Sequence, residues 1–265
     1  MPHLLTRHAR LDYDVTGHGP TVVQLHGLTS SQKRDAQLGL DLCRGLSDQR
    51  IIRYDARGHG RSTGRAMSDD YTWPHLAGDL LHLLDQAAPS QHVCGVGQSM
   101  GAATLLHAAC SDPPRFQALV LGIPPTAWSS RAAQQAAYLQ TADAVEQRGI
   151  EELMDTARTA PRPPAVGPEV PITVPDVQTA LLPSVFRGAA RSDLPPREAI
   201  ANLQVPTLLL CWAGDPAHPV STARRLSQLL PQHRLEVAHT PADTATWPVL
   251  VAEHLAAHLS PSPPC

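Results

Sequence analysis

The chain has 265 residues, 42% of them hydrophobic but only 4% aromatic, and carries a formal net charge of −3. That length suits one large α/β domain, or a core with an insertion, packed mainly by Leu, Val, Ile and Ala. No stretch is densely basic, so nucleic acid is not an expected partner, and no apolar run approaches the roughly 18–20 residues of a membrane span.

The N-terminus, Met1 to Arg10, has no long apolar segment, so no signal peptide is expected. Residues 3–15 alternate loosely through Leu11, Tyr13 and Val15 and end in the turn cluster Gly17-His18-Gly19-Pro20, which predicts an antiparallel hairpin. A strand is expected at Thr21–Leu25, ending in His26-Gly27, followed by a helical segment containing Leu38, Leu40, Leu42 and Leu46. Ile51–Asp55 reads as a buried strand opening into a glycine-rich loop, Ala56 to Ser62. Thr72 is placed as an N-cap, with Pro74 in the first turn and Leu76, Leu80, Leu83 and Leu84 at helical spacing. His75 and His82 share that helix, but no third ligand completes a metal pattern, and they are read as surface or boundary residues.

The apolar run His92–Val96 leads into Gly97-Gln98-Ser99-Met100-Gly101 and then a small-residue helical segment. A G-x-S-x-G between strand and helix reads as a nucleophile elbow, which presents a serine hydroxyl at the C-terminal edge of a sheet. The competing reading is a glycine-rich turn whose serine caps the helix. Ala118–Gly122 is a further strand, so strand and helix alternate from about 21 to 122, as in a parallel sheet with crossover helices. Helical stretches are then expected at about 129–148, 150–160 and 176–190, with no strand of comparable strength between them. The expected organisation is a core at 1–125, an inserted helical lid at 126–200, a second core part at 201–259 and a disordered tail at 260–265. In the second core part, strands are expected at 206–212 and 234–237 and helices at about 220–230 and 247–258.

A serine hydroxyl needs a base to remove its proton, and the base needs an orienting acid. Asp215, just past the strand at 206–212, is the candidate acid, against the plainer reading of an Asp-Pro turn. Taken together, His26-Gly27, Asp55-x-Arg57-Gly58-x-Gly60-x-Ser62, Gly97-x-Ser99-x-Gly101 and Gly214-Asp215-Pro216 resemble the α/β-hydrolase superfamily in type and order across nearly the whole chain. The resemblance implies an α/β fold with a mostly parallel sheet flanked by helices and a helical lid. It implies Ser99 as nucleophile, Asp215 as acid, and the backbone N–H groups of Leu28 and Met100 as an oxyanion hole. It assigns the Asp55–Ser62 loop to architecture. The family carries its base as a Gly-His several residues beyond the last strand, and near that place stands Asp243. His239 is the first candidate, about four residues early; His218, His26 or no conventional base are the alternatives.

The implied activity is cleavage of a small ester, thioester, lactone or activated C–C bond through a Ser99 acyl-enzyme. The alternative is a binding protein that kept the fold without turnover. A small molecule is the expected partner, no cofactor or metal is expected, and no nucleotide or flavin fingerprint is present. Five cysteines (Cys43, Cys94, Cys110, Cys211 and Cys265) include no C-x-x-C; they read as reduced thiols and point to the cytoplasm.

Overall fold

The computed structural model describes residues 2–172 and 174–259; the tail expected at 260–265 lies outside them. The N-terminal hairpin forms as β1 (His3–Thr6) and β2 (Ala9–Thr16). Then come β3 (Thr21–Leu25), α1 (Gln32–Gln37), β4 (Arg50–Tyr54), α2 (Trp73–Ala87), β5 (Val93–Gln98), α3 (Met100–Ser111) and β6 (Phe116–Gly122). Between β6 and the next strand the chain is helical, with α4 (Arg131–Arg148), α5 (Ile150–Thr159), α6 (Leu182–Ala190) and α7 (Arg197–Ala201). It closes with β7 (Thr207–Trp212), α8 (Val220–Leu229), β8 (His233–Ala238), α9 (Pro241–Ala245) and α10 (Trp247–His258).

The eight strands form one sheet in the order β1-β2-β4-β3-β5-β6-β7-β8. The β1–β2 and β2–β4 pairs are antiparallel and the others parallel. β3, β5 and β7 are buried along their whole length, as continuous apolar strands covered by helices on both faces must be. One face packs Leu80 and Leu84 of α2, Leu105 of α3 and Leu226 of α8. The other packs Trp247, Val251 and Leu255 of α10 against Val96, Val120 and Leu210. Cys94 and Cys211 are buried, free core thiols, and no described helix is long and apolar enough to cross a membrane.

Two local expectations are corrected. The helix placed over Leu38–Leu46 stops at Gln37, because Leu38 is its C-cap and Gly39 takes φ +71°, after which the Leu40 N–H folds back onto the Asp35 carbonyl. Thr72 does stand at the N-cap of α2, but its hydroxyl donates to the Asp69 carbonyl instead of capping the helix.

The glycine-rich loop after β4 is architectural in its contacts. Asp55 accepts from the Gln32 and Arg61 amides, and Ser62 Oγ donates to the Asp55 carbonyl. Buried Arg57 forms a two-pronged ion pair with Asp79 of α2, with contacts of 3.0 and 2.8 Å.

Candidate active site

β5 lies inside the sheet between β3 and β6, so its C-terminal end faces the middle of the sheet edge. Ser99 follows directly, at φ 52°, a conformation uncommon for a residue with a Cβ. The flanking glycines make room for it. A Cβ on Gly97 would come within 2.5 Å of the Gly101 carbonyl oxygen, and one on Gly101 within 2.6 Å of the Leu25 carbonyl oxygen. The turn is held by the Ser99 N–H donating to the Gly122 carbonyl at the end of β6.

Ser99 Oγ stands 2.8 Å from Nε2 of His218, whose Nδ1 stands 2.8 Å from Asp215 Oδ2. An ionised carboxylate only accepts, so Nδ1 carries the proton, Nε2 presents its lone pair, and the serine hydroxyl donates to it. Asp215 and His218 sit three residues apart on the loop after β7. Asp215 Oδ1 accepts from the Ala217 N–H at 2.9 Å, and Oδ2 also accepts from Nε1 of Trp212 at 2.8 Å. Burial alone would raise this carboxyl, but the hydrogen bonds and charge of His218, with those of Trp212 and Ala217, bring its pKa down to about 2. To reach Ser99 the loop passes the end of β6, where the Thr126 N–H donates to the Ala217 carbonyl and holds it.

The expectation that His239 meets Ser99 is not fulfilled. His239 is exposed just beyond β8, and its side chain is replaced at the serine by that of His218. The cause is local: Asp243 Oδ2 accepts from the His239 and Thr240 N–H groups, and Thr240 caps α9, so the chain turns into a helix at once. The carboxylate standing near the expected base position is therefore a helix cap. Those same backbone hydrogen bonds hold it below its ordinary pKa. His26 is committed elsewhere: Nδ1 donates to the Gly27 carbonyl at 2.7 Å, and Nε2 accepts from the Ala56 N–H at 2.9 Å. Burial lowers its pKa to about 4, and the ring ties the end of β3 to the end of β4.

Leu28 follows Gly27 in a turn closed by the Ser30 N–H on the Gly27 carbonyl, which leaves the Leu28 N–H outside the turn's own bond. Met100 opens α3, where first-turn amides have no intrahelical acceptor. A buried carboxyl that sequence reasoning missed joins the two segments. Asp35 accepts from Ser30 Oγ at 2.6 Å and from Gln98 Nε2 at 2.5 Å. Ser30 lies two residues after Leu28, and Gln98 two before Met100. Burial pushes Asp35 well above the ordinary carboxyl range, against the Ser30 hydrogen bond and the charge of Arg34. Among the described residues, no group of three side chains is arranged to hold a metal ion.

This sheet, with a serine on a strained turn after its central strand, defines an α/β-hydrolase. Residues 17–242 match the Hydrolase_4 family, described as serine aminopeptidase, S33, and the chain belongs to that family of hydrolases. In sequence it is similar to 3-oxoadipate enol-lactonase 1 of Acinetobacter baylyi, 25% identical over 206 residues covering 72% of this chain and 71% of that protein. Among solved structures, the enol-lactonase of Burkholderia xenovorans LB400 superposes with a TM-score of 0.77 at 22% identity, covering 96% of this chain and all of that one. A thermophilic esterase of Thermogutta terrifontis gives 0.74 at 20% identity, covering 95% of each chain.

Proposed function

We propose that the protein is a serine hydrolase that cleaves small carboxylic esters or lactones through an acyl-enzyme on Ser99. His218 acts as general base and Asp215 as orienting acid. The observation that carries this reading is the unbroken chain Ser99 Oγ, His218, Asp215, with both contacts at 2.8 Å. In the first step Oγ bonds to the substrate carbonyl carbon while its proton passes to His218 Nε2. The developing imidazolium is stabilised by Asp215, already ionised. The carbonyl oxygen, now negative, is met by the Leu28 and Met100 N–H groups, and donors of this kind contribute about 3–4 kcal/mol each. Collapse expels the alkoxide, which takes the proton from His218. Water, deprotonated by the same nitrogen, then clears the acyl group and restores the serine. A lactone opens by the same steps, the leaving oxygen staying tethered to the acyl group.

The helices between β6 and β7 serve as the lid of this site. The Acinetobacter relative and the esterase neighbour favour ester and lactone bonds over thioester or C–C bonds. The ground for a binding protein without turnover was a missing base, and His218 supplies a group for that role. A fluorophosphonate probe tests the assignment. We expect labelling of the wild type, none of Ser99→Ala, loss by at least about a thousandfold in rate for His218→Ala, and wild-type labelling of His239→Ala. Loss in His239→Ala with retention in His218→Ala would refute the base; an unreactive wild type that releases no p-nitrophenol from short acyl esters would refute the hydrolase.

A further inference from the structure

A cavity of about 520 Å³ opens between the 34–44 segment, the return of the helical insertion at 157–172, and the start of α9 and α10. Ser99, Asp215 and His218 do not line it. Its volume lies within the span of about 300–1,000 Å³ typical of small-molecule sites. Its walls are apolar, with Leu40, Val166 and the stacked pair Trp212 and Trp247, whose ring centroids are 5.7 Å apart. Its charged lining is Arg34, Arg44 and Arg162 with the carboxylate of Glu169, and Arg44 and Arg162 are the two exposed arginines among them. Arg162 is steadied by donating to the Val170 carbonyl at 2.7 Å, and Arg34 by donating to the Thr29 carbonyl at 2.7 Å. The Val170 acceptor is neutral, so it fixes the Arg162 guanidinium without cancelling its charge, whereas Arg34 lies in the field of Asp35 and Asp176. The walls are tied together, since Thr244 Oγ1 donates to the Ala165 carbonyl at 3.0 Å.

We propose that this cavity is a second binding site, for a carboxylic acid with a medium-length apolar tail. The tail lies on the tryptophans and the carboxylate meets Arg44 and Arg162. Arginine fits a carboxylate with paired hydrogen bonds, so the lining selects an anion over a neutral or cationic molecule of the same shape. The occupant rests on the indole whose N–H holds Asp215, so the site adjoins the catalytic loop without sharing its residues.

Calorimetric titration with octanoate, octanol and octylammonium tests the proposal on the intact protein. Octanoate is expected to bind, octanol at least about tenfold more weakly, and octylammonium not at all. The Arg44→Ala/Arg162→Ala double variant should lower octanoate affinity about tenfold and leave octanol unchanged. Both side chains lie at the surface of their segments, and circular dichroism checks that the variant is folded. Ala245→Phe, an exposed cavity-lining position, should block octanoate while leaving fluorophosphonate labelling of Ser99 intact. Equal binding of octanoate and octanol, undiminished octanoate binding in the double variant, or undiminished binding in folded Ala245→Phe would overturn the site. None of these readouts requires turnover, so their failure is separate from failure of the hydrolase reading.

Discussion

At the scale of single residues, the geometry gives Asp35 and Asp215 opposite relations to pH. Asp215 has its folded pKa depressed from 3.8 to about 2, so it stabilises the native state above about pH 4, and this contribution is lost as pH falls toward 2. Asp215→Asn should therefore flatten the acid limb of the stability curve between pH 4 and 2, measured by chemical denaturation at each pH. Asp35 has its pKa raised by burial. The unfolded chain releases that proton first, so the native state loses stability as pH rises above 3.8 toward the folded pKa. Asp35→Asn is expected to gain melting temperature relative to wild type as pH is raised from 4 to 8; a constant difference would contradict it. Because the same carboxyl braces Ser30 to Gln98, Asp35→Ala should reduce kcat by about ten- to a hundredfold with KM little changed. The tight turn at Ser99 was legible because Gly97 and Gly101 mark where backbone must pass backbone, and the place of Asp215 because it stands just past an apolar strand. His218 stood behind His239 among the candidate bases, since the resemblance places the base beyond the last strand and not on the loop that carries the acid. The available signal was its offset from the acid: three residues along a tight turn return a side chain to the same carboxylate.

At the scale of elements, the loop after β4 is joined to α2 by a buried charge pair. Arg57 and Asp79 are almost entirely buried, with side-chain exposures of 1% and 8%. Asp79→Ala leaves the guanidinium without its close partner, Asp70 lying at 3.7 Å, and should destabilise the protein by about 3–5 kcal/mol in urea titration. Asp79→Asn, which keeps an acceptor, should cost less. Most strands and long helices were readable from apolar runs and helical spacing. The exception was the segment with Leu38, Leu40 and Leu42. Their spacing of two is not helical, and Gly39 and Gly45 both adopt positive φ, so the leucines pack as turns over the sheet. The short helix α9 escaped notice because a five-residue element has no periodicity; its sign was the capping pair Thr240 and Asp243.

At the scale of the whole molecule, β8 and α10 complete a face of the sheet. Without them β7 becomes an open edge and Trp247, Val251 and Leu255 leave the core. A chain ended at Gln232 should be insoluble or lack cooperative unfolding, as soluble yield and circular dichroism would reveal. Yet Ser99, Asp215 and His218 all precede that cut, because Asp215 and His218 share one loop instead of two. The proposed triad and the completion of the fold are thus carried by separable lengths of chain. Divided between α8 and β8, the protein would supply one fragment holding all three side chains of the proposed triad and a second that seals the sheet. For the proposed hydrolase, such a pair is the raw material of a complementation switch, in which the meeting of two fragments, and not the delivery of a proposed catalytic group, restores activity.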